Sequence, residues 1–209
     1  MKTFTIYDMN GEYLRHGSCP LNEFMAQVGT GEVIIEGLYP KTNYYMLNWE
    51  VVEKGNPPTE YHKWDSVSNS WVPTVAKAVY TIHKAIEKER DTRRFANITV
   101  DSITIQADEE AIRNIEKKQQ HIGAKARLTS TLPVDQLFWR DAGNTIHTWA
   151  NATAYATWLD NVVAALGDRE TLIWAKSFIH KDNITTLGQE NTETALNNIL
   201  SYNITTGWE

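Results

Sequence analysis

The stretch that decides the fold is "SWVPTVAKAVYTIHKAIEKERDTRRF", Ser70–Phe95. It begins as β-type sequence, is cut at Pro73, and continues with a helical period. Proline fixes φ and removes a backbone donor, so a strand ends there. Beyond it, Val75, Val79, Ile82 and Ile86 succeed one another at steps of four, three and four residues. That seam recurs every ~3.5 residues and predicts a helix with one apolar stripe. A lone helix of this length is marginal in water, so the stripe must be covered, either by the chain's own hairpins or by other copies of the chain. β-branched residues at most seam positions favour a trimer in the second case. Seven of the eight positions from Glu87 to Arg94 are charged. Arg90, Arg93 and Arg94 fall where cations complement the negative end of a helix dipole, and helical spacing pairs Glu87 with Arg90 and Glu89 with Arg93. This charge run reads as a solvated helix end whose Arg and Asp residues fix the turn into the next hairpin, not as a reaction centre.

Upstream, the pattern is β-structure. "KTFTIYDMNGEYLRHGSC" alternates around Asn10-Gly11, a hairpin signal. "PLNEFMAQVG" reads as a short helix with Phe24, Met25 and Val28 on one side and Gly29 at its end. "EVIIEGLY" and "NYYMLNWEVVEKG" read as two strands, and "EYHKWDSVSNSWVP" as a hairpin turning near Ser68-Asn69 with Trp64 and Trp71 beside the turn. Downstream, "NITVDSITIQ" is a tight hairpin turning at Asp101-Ser102. Asp108 caps a helix that buries Ile112, Ile115 and Ile122, and "TLP" breaks it. "QLFWRDAGNTIHTW" turns at Gly143-Asn144. "ANATAYATWLDNVVAAL" is a helix burying Tyr155, Leu159, Val162 and Val163, with Trp158 near that face. Gly167 interrupts it, and Asp168 caps a further helix, "DRETLIWAKSFIH".

The expected class is therefore α+β. A β-rich N-terminal domain covers residues 1–73, a helix–hairpin–helix–hairpin–helix–helix domain covers 74–182, and a polar tail or docking segment covers 183–209, with an apolar run at Ala195, Ile199 and Leu200.

Composition narrows the function classes. The formal charge of −6 argues against broad contact with nucleic acid or anionic membrane, since both recruit excess Lys and Arg. Cys19 is the single cysteine, so an internal disulfide is excluded, and it reads as a small buried apolar residue. "MKTFTIYDMNGEY" turns polar too early for the apolar core of a secretory signal, and no run approaches the ~20 apolar residues that cross a bilayer. A soluble protein is expected.

Of the histidines, only His83 lies one helical turn from a carboxylate, Glu87, and a zinc site needs three or four ligands. No metal or cofactor is expected. There is no Gly-rich phosphate loop and no Gly-x-Ser-x-Gly elbow, and the acidic residues sit beside Lys and Arg in the pattern of solvated faces. An enzyme is not expected. The eight tryptophans are the unusual feature. Trp139, Trp158 and Trp174, among apolar neighbours, read as core, whereas Trp64 and Trp71 are candidate interface aromatics that could anchor a protein partner or stack on a sugar.

The helix end "IEKERDTRR" is followed by the hairpin "ITVDSITI", the acidic-capped helix "ADEEAIRNI", the aromatic strand "QLFWRDAGNTIHTW" and a helix leading to Trp174. Over about residues 80–182 this succession resembles an uncharacterised domain family found in tail-associated proteins of tailed bacteriophages and prophages. Ile86, Arg90, Asp91, Arg93 and Arg94 match its I-x-x-x-R-D-x-R-R helix end. The segments "GEYLRHGSCP" and "GEVIIEGLY" are similar to the opening of small phage proteins encoded near tail-fibre genes. The resemblance implies a virion tail component made in the host cytoplasm: an adaptor, baseplate or tail-fibre base protein that binds fibre, baseplate or tail-tube proteins. A tail-fibre assembly chaperone is the alternative, and a carbohydrate-binding receptor module a further one resting on tryptophan content. The resemblance carries over no catalytic residue, and gives Arg90, Asp91, Arg93 and Arg94 a structural role.

Overall fold

A computed structural model describes residues 1–48, 50–128 and 132–209. The chain is α+β, with antiparallel hairpins in its N-terminal part and long helices in its C-terminal part. It forms two compact units. The first comprises Met1–Ala78 with Gly188–Asn198, the second Val79–Leu187 with Ile199–Glu209. The division falls inside the helix after Pro73, where the sequence pattern sets it at Pro73 itself, and the 183–209 segment contributes to both units.

In the first unit, β1 (Lys2–Asp8) lies between β2 (Tyr13–Cys19) and β3 (Glu32–Glu36). The turn from β1 to β2 uses a left-handed Gly11 (φ +84°), which glycine adopts without a Cβ clash. One face of this sheet buries Phe4, Ile6 and Cys19, with Phe24 and Ile34 packed against them. Thr5, fully buried on the same strand, satisfies its hydroxyl twice: it donates to the Gly37 carbonyl (3.0 Å) and accepts from the Tyr39 N–H (2.9 Å). Leu21–Gln27 forms a 3₁₀ helix with no buried residue. Met25 is exposed, contrary to its expected place on an inner face, because a 3₁₀ turn repeats every ~3 residues and keeps only Phe24 on the sheet.

"NYYMLNWEVVEKG" is two strands rather than one. β4 (Tyr44–Leu47) and β5 (Glu50–Glu53) pair antiparallel beside a left-handed Asn48 (φ 50°), a conformation that asparagine tolerates better than other side chains. Trp49 lies outside the described residues, as does Thr131 of the expected "TLP" break. β6 (His62–Asp65) and β7 (Ser70–Pro73) form the predicted hairpin, with left-handed Asn69 in its turn.

α1 (Val75–Arg94) leads into the second unit. There β8 (Ile98–Val100) and β9 (Ile103–Ile105) turn through Asp101 and Ser102, both at positive φ, the signature of a two-residue hairpin turn. α2 (Glu109–Arg127) is capped by the Asp108 carboxylate, which accepts from the Ala111 N–H at 2.8 Å. β10 (Phe138–Arg140) pairs with β11 (Ile146–Thr148), and α3 (Ala152–Leu187) comes next. Ile105, Ile115, Ile122 and Leu137 close on Tyr155, Trp158, Leu159 and Val162 of α3, a single apolar core. Trp149 stacks on Tyr155 with ring centroids 4.4 Å apart, and the Tyr155 hydroxyl, its pKa pushed up by burial, donates to the Phe138 carbonyl at 2.7 Å. α4 (Glu193–Leu200) and the end of the chain bury Ala195, Leu196, Ile199 and Trp208, so the segment read as a polar tail is largely anchored. Among the described residues no helix is long and apolar enough to cross a membrane.

Two expectations fail on α3. Gly167 does not interrupt it, and Asp168 is no cap: the helix runs unbroken for 36 residues. An interior glycine costs only ~1 kcal/mol relative to alanine, and burial of Val162 and Leu166 before it and Ile173 after it outweighs that. Trp174, expected in the core, is 37% exposed. A Cβ at Gly167 would meet nothing within 4 Å. Gly167→Ala is therefore expected to raise stability by about 0.5–1 kcal/mol in urea denaturation. A loss of stability would show that the backbone there is not helical.

Candidate functional site

The charged end of α1 is where the sequence and the structure diverge most usefully. Helical spacing pairs Glu89 with Arg93, and that bond is present at 2.7 Å. The expected Glu87–Arg90 pair is replaced. Glu87 accepts from Lys84 on its own helix and from Lys181 of α3, both at 2.8 Å. Arg90 bonds Asp91 at 2.8 Å and lays its guanidinium 4.2 Å from the centroid of the Trp174 ring, which explains how a half-exposed tryptophan is held. Arg94 pairs with Glu170 at 2.8 Å. Arg93 donates to the Thr205 carbonyl at 2.7 Å and sits 5.4 Å from the Trp208 ring. From the other side, Arg169 of α3 donates to the carbonyls of Arg94 and Ala96.

So the run is a latch, not a solvated end. Glu87, Arg90 and Arg94 bind α1 to α3 and Arg93 binds it to the last residues of the chain, while Lys88 and Asp91 stay exposed. The resemblance implies a structural role for Arg90, Asp91, Arg93 and Arg94, and each of the four makes one of the bonds above. Lys181, which bonds Glu87, and Arg169, Glu170, Thr205 and Trp208, which meet Arg93 and Arg94, carry no sequence signal, because nothing local marks a residue so far along the chain as a partner.

The seam residues divide. Val75 and Ile86 are buried within the single chain, while Val79 and Ile82 keep partial exposure. His83, the one metal-ligand candidate, lies with Nε2 3.2 Å from the Lys181 carbonyl oxygen, and its neighbour Glu87 is occupied by two lysines. No group of three or more His, Cys, Asp or Glu side chains is gathered for a metal among the described residues.

Trp64 and Trp71 face each other across β6 and β7, ring centroids 5.4 Å apart at 81°. Trp71 is tied down, its indole N–H donating to the Lys54 carbonyl at 3.0 Å. Trp64 packs on Tyr45 at 4.8 Å, and its indole nitrogen is buried with no hydrogen-bond partner. The sequence brings these two tryptophans to one hairpin, and the structure adds Tyr45 and Lys54 from the neighbouring one. No family profile, curated protein or solved structure matches the chain.

The Glu87 carboxyl is held down to about 2 by its bonds to Lys181 and then Lys84, from an ordinary 4.5. A depressed carboxylate stabilises the fold above its unfolded pKa, and that contribution disappears as pH falls through the folded value. The window here runs from about 4.5 down to about 2. Glu87→Gln should therefore melt below the parent near neutrality, with the difference shrinking to nothing as pH approaches 2. A gap in melting temperature that persists at the acid end would mean that the latch does not depend on the Glu87 charge.

Proposed function

We propose that this chain is a structural component of a bacteriophage tail, an adaptor, baseplate or fibre-base protein that holds other virion proteins. The observation that carries the reading is the fate of the residues bearing the resemblance. Ile86 is fully buried, and Arg90, Asp91, Arg93 and Arg94 are engaged in bonds within or beside the latch. A motif used to build a domain fits a family of assembly proteins better than a family of catalysts. The reading is of a protein without enzymatic activity or cofactor, resident in the virion tail after synthesis in the host cytoplasm.

Large apolar side chains left on the surface of α3 support a partner-binding role. Phe178 is 59% exposed and Ile179 52%. Side chains of that size on water-facing helix positions are common at surfaces that associate. Self-association through α1 belongs to the same proposal and draws on the open part of the seam, Val79 and Ile82, since Ile86 is already covered by its own chain.

Mass spectrometry of purified particles tests the location. The chain is expected at a few to a few dozen copies per virion. Detection in infected-cell lysate but not in particles would replace the reading with that of a fibre-assembly chaperone. Sedimentation of the purified chain beside an Ile82→Asp variant tests the seam. A trimer that falls apart into folded monomers supports self-association, and a monomer in both cases removes it.

A further inference from the structure

The first unit contains a cleft of about 300 Å³ framed by the β1–β2 turn and the β4–β5 and β6–β7 hairpins. Tyr45 and Trp64, both half-buried, stand in its lining as a tilted pair of rings with centroids 4.8 Å apart. Across the Trp64 ring stands the Lys54 ammonium, 5.3 Å from the centroid. It donates to the Lys41 carbonyl and makes no ion pair among the described residues. Burial, and then the charge of Lys41, pushes its pKa below the usual lysine value, against the opposing pull of the nearby Glu12 carboxylate. Lys41 also lines the cleft, and Glu12 is the one acidic residue in the lining. The lining therefore carries an excess of positive charge although the whole chain is acidic.

Two more groups there lack partners. The Tyr7 hydroxyl and the Trp64 indole N–H are both buried with no hydrogen bond. Unpaired buried polar groups of this kind are costly, and the Trp64 indole N–H is a sensitive reporter of any change in the cleft it borders.

The three features select one chemistry. An aromatic wall takes the flat C–H face of a sugar ring. The side-chain amides of Asn10 and Asn69 in the same lining take oxygens. A desolvated ammonium takes a carboxylate. The lining includes no arginine, whose forked donors favour phosphate. We propose that this cleft binds one ring of an acidic saccharide, a hexuronate, stacked on Tyr45 and Trp64 with its carboxylate at Lys54. The cleft lies wholly in the first unit, and the proposal stands or falls independently of the tail assignment.

Isotope-labelled full-length chain titrated with sodium glucuronate, glucose and sodium acetate provides the test, read at the indole N–H signals. Glucuronate should move the Trp64 signal and saturate with Kd on the order of 1 mM, the strength expected of so small a ligand. Glucose should bind about tenfold more weakly through stacking alone, and acetate should leave the Trp64 signal in place. Lys54→Gln should reduce glucuronate to the affinity of glucose. The Trp71 indole signal, bonded to the Lys54 main-chain carbonyl, should hold its position and so report an intact hairpin. Tyr45→Ala, on a different strand, should weaken both sugars about tenfold. The proposal is overturned if neither sugar moves Trp64, if acetate moves it as far as glucuronate does, or if both variants bind glucuronate like the parent.

Discussion

The end of α1 is closed by a cation from elsewhere in the chain, and the second unit is organised around that closure. The last carbonyls of any helix lack intrahelical donors. α1 has no glycine after Arg94 to fold the chain back onto them, and its next residues reach back only partly, Phe95 N–H to Asp91 and Ala96 N–H to Arg93. Arg169 donates to the carbonyl of Arg94, the last helical residue, and to that of Ala96 just beyond it. A guanidinium there also sits at the negative end of the helix dipole. Burial lowers its pKa, yet arginine stays charged far above neutrality, so the closure persists over the whole working pH range. Isolated surface ion pairs contribute little. Here the contacts form a network and several are charge-assisted bonds to main-chain carbonyls, which are stronger than neutral ones.

The closure matters because α3 is long. Thirty-six residues make a helix of about 54 Å, more than one small core can cover. Its first half is buried by α2 and the two hairpins through Tyr155, Trp158, Leu159 and Val162. Its second half buries a separate stripe, Ile173, Ser177, His180 and Ile184. The latch along α1 and the chain's last residues cover that half. His180 shows how: its ring lies 4.9 Å from Trp208, its Nδ1 is 2.8 Å from the Tyr202 hydroxyl, and burial lowers its pKa so that the neutral imidazole is favoured. The same electrostatic logic runs in reverse in the first unit. There the Lys54 ammonium, 5.3 Å from the Trp64 ring centroid, makes no ion pair among the described residues, and the proposed guest's carboxylate is placed beside it.

The candidate site is legible in the sequence only in halves. That Glu89 and Arg93 pair along one helix, and that Trp64 and Trp71 share a hairpin, comes from helical and strand periods, whereas a structural role for Arg90, Asp91, Arg93 and Arg94 is only what the resemblance implies. Which groups they meet does not. Lys181, Arg169 and Thr205 are ordinary polar residues in sequence, and the Tyr45 ring and Lys54 ammonium beside Trp64 come from strands whose placement no local pattern specifies.

What the sequence by itself determined are the features whose energies act over a few residues. Asn10-Gly11, Asp101-Ser102 and Gly143-Asn144 specify turns through the φ values their residues tolerate. Asp108 specifies a helix start through one side-chain bond, and the steps of three and four from Val75 to Ile86 specify a helix. Tertiary structure decided the features in which distant burial outweighs local preference. Gly167 is carried through an unbroken helix because buried residues on both sides hold it there. "NYYMLNWEVVEKG" folds back on itself, and the polar tail is pinned by Leu196, Ile199 and Trp208. Glu87, Arg90 and Arg94 turn towards α3 and Arg93 towards the chain's end, because their partners come within bonding distance only once the chain has folded.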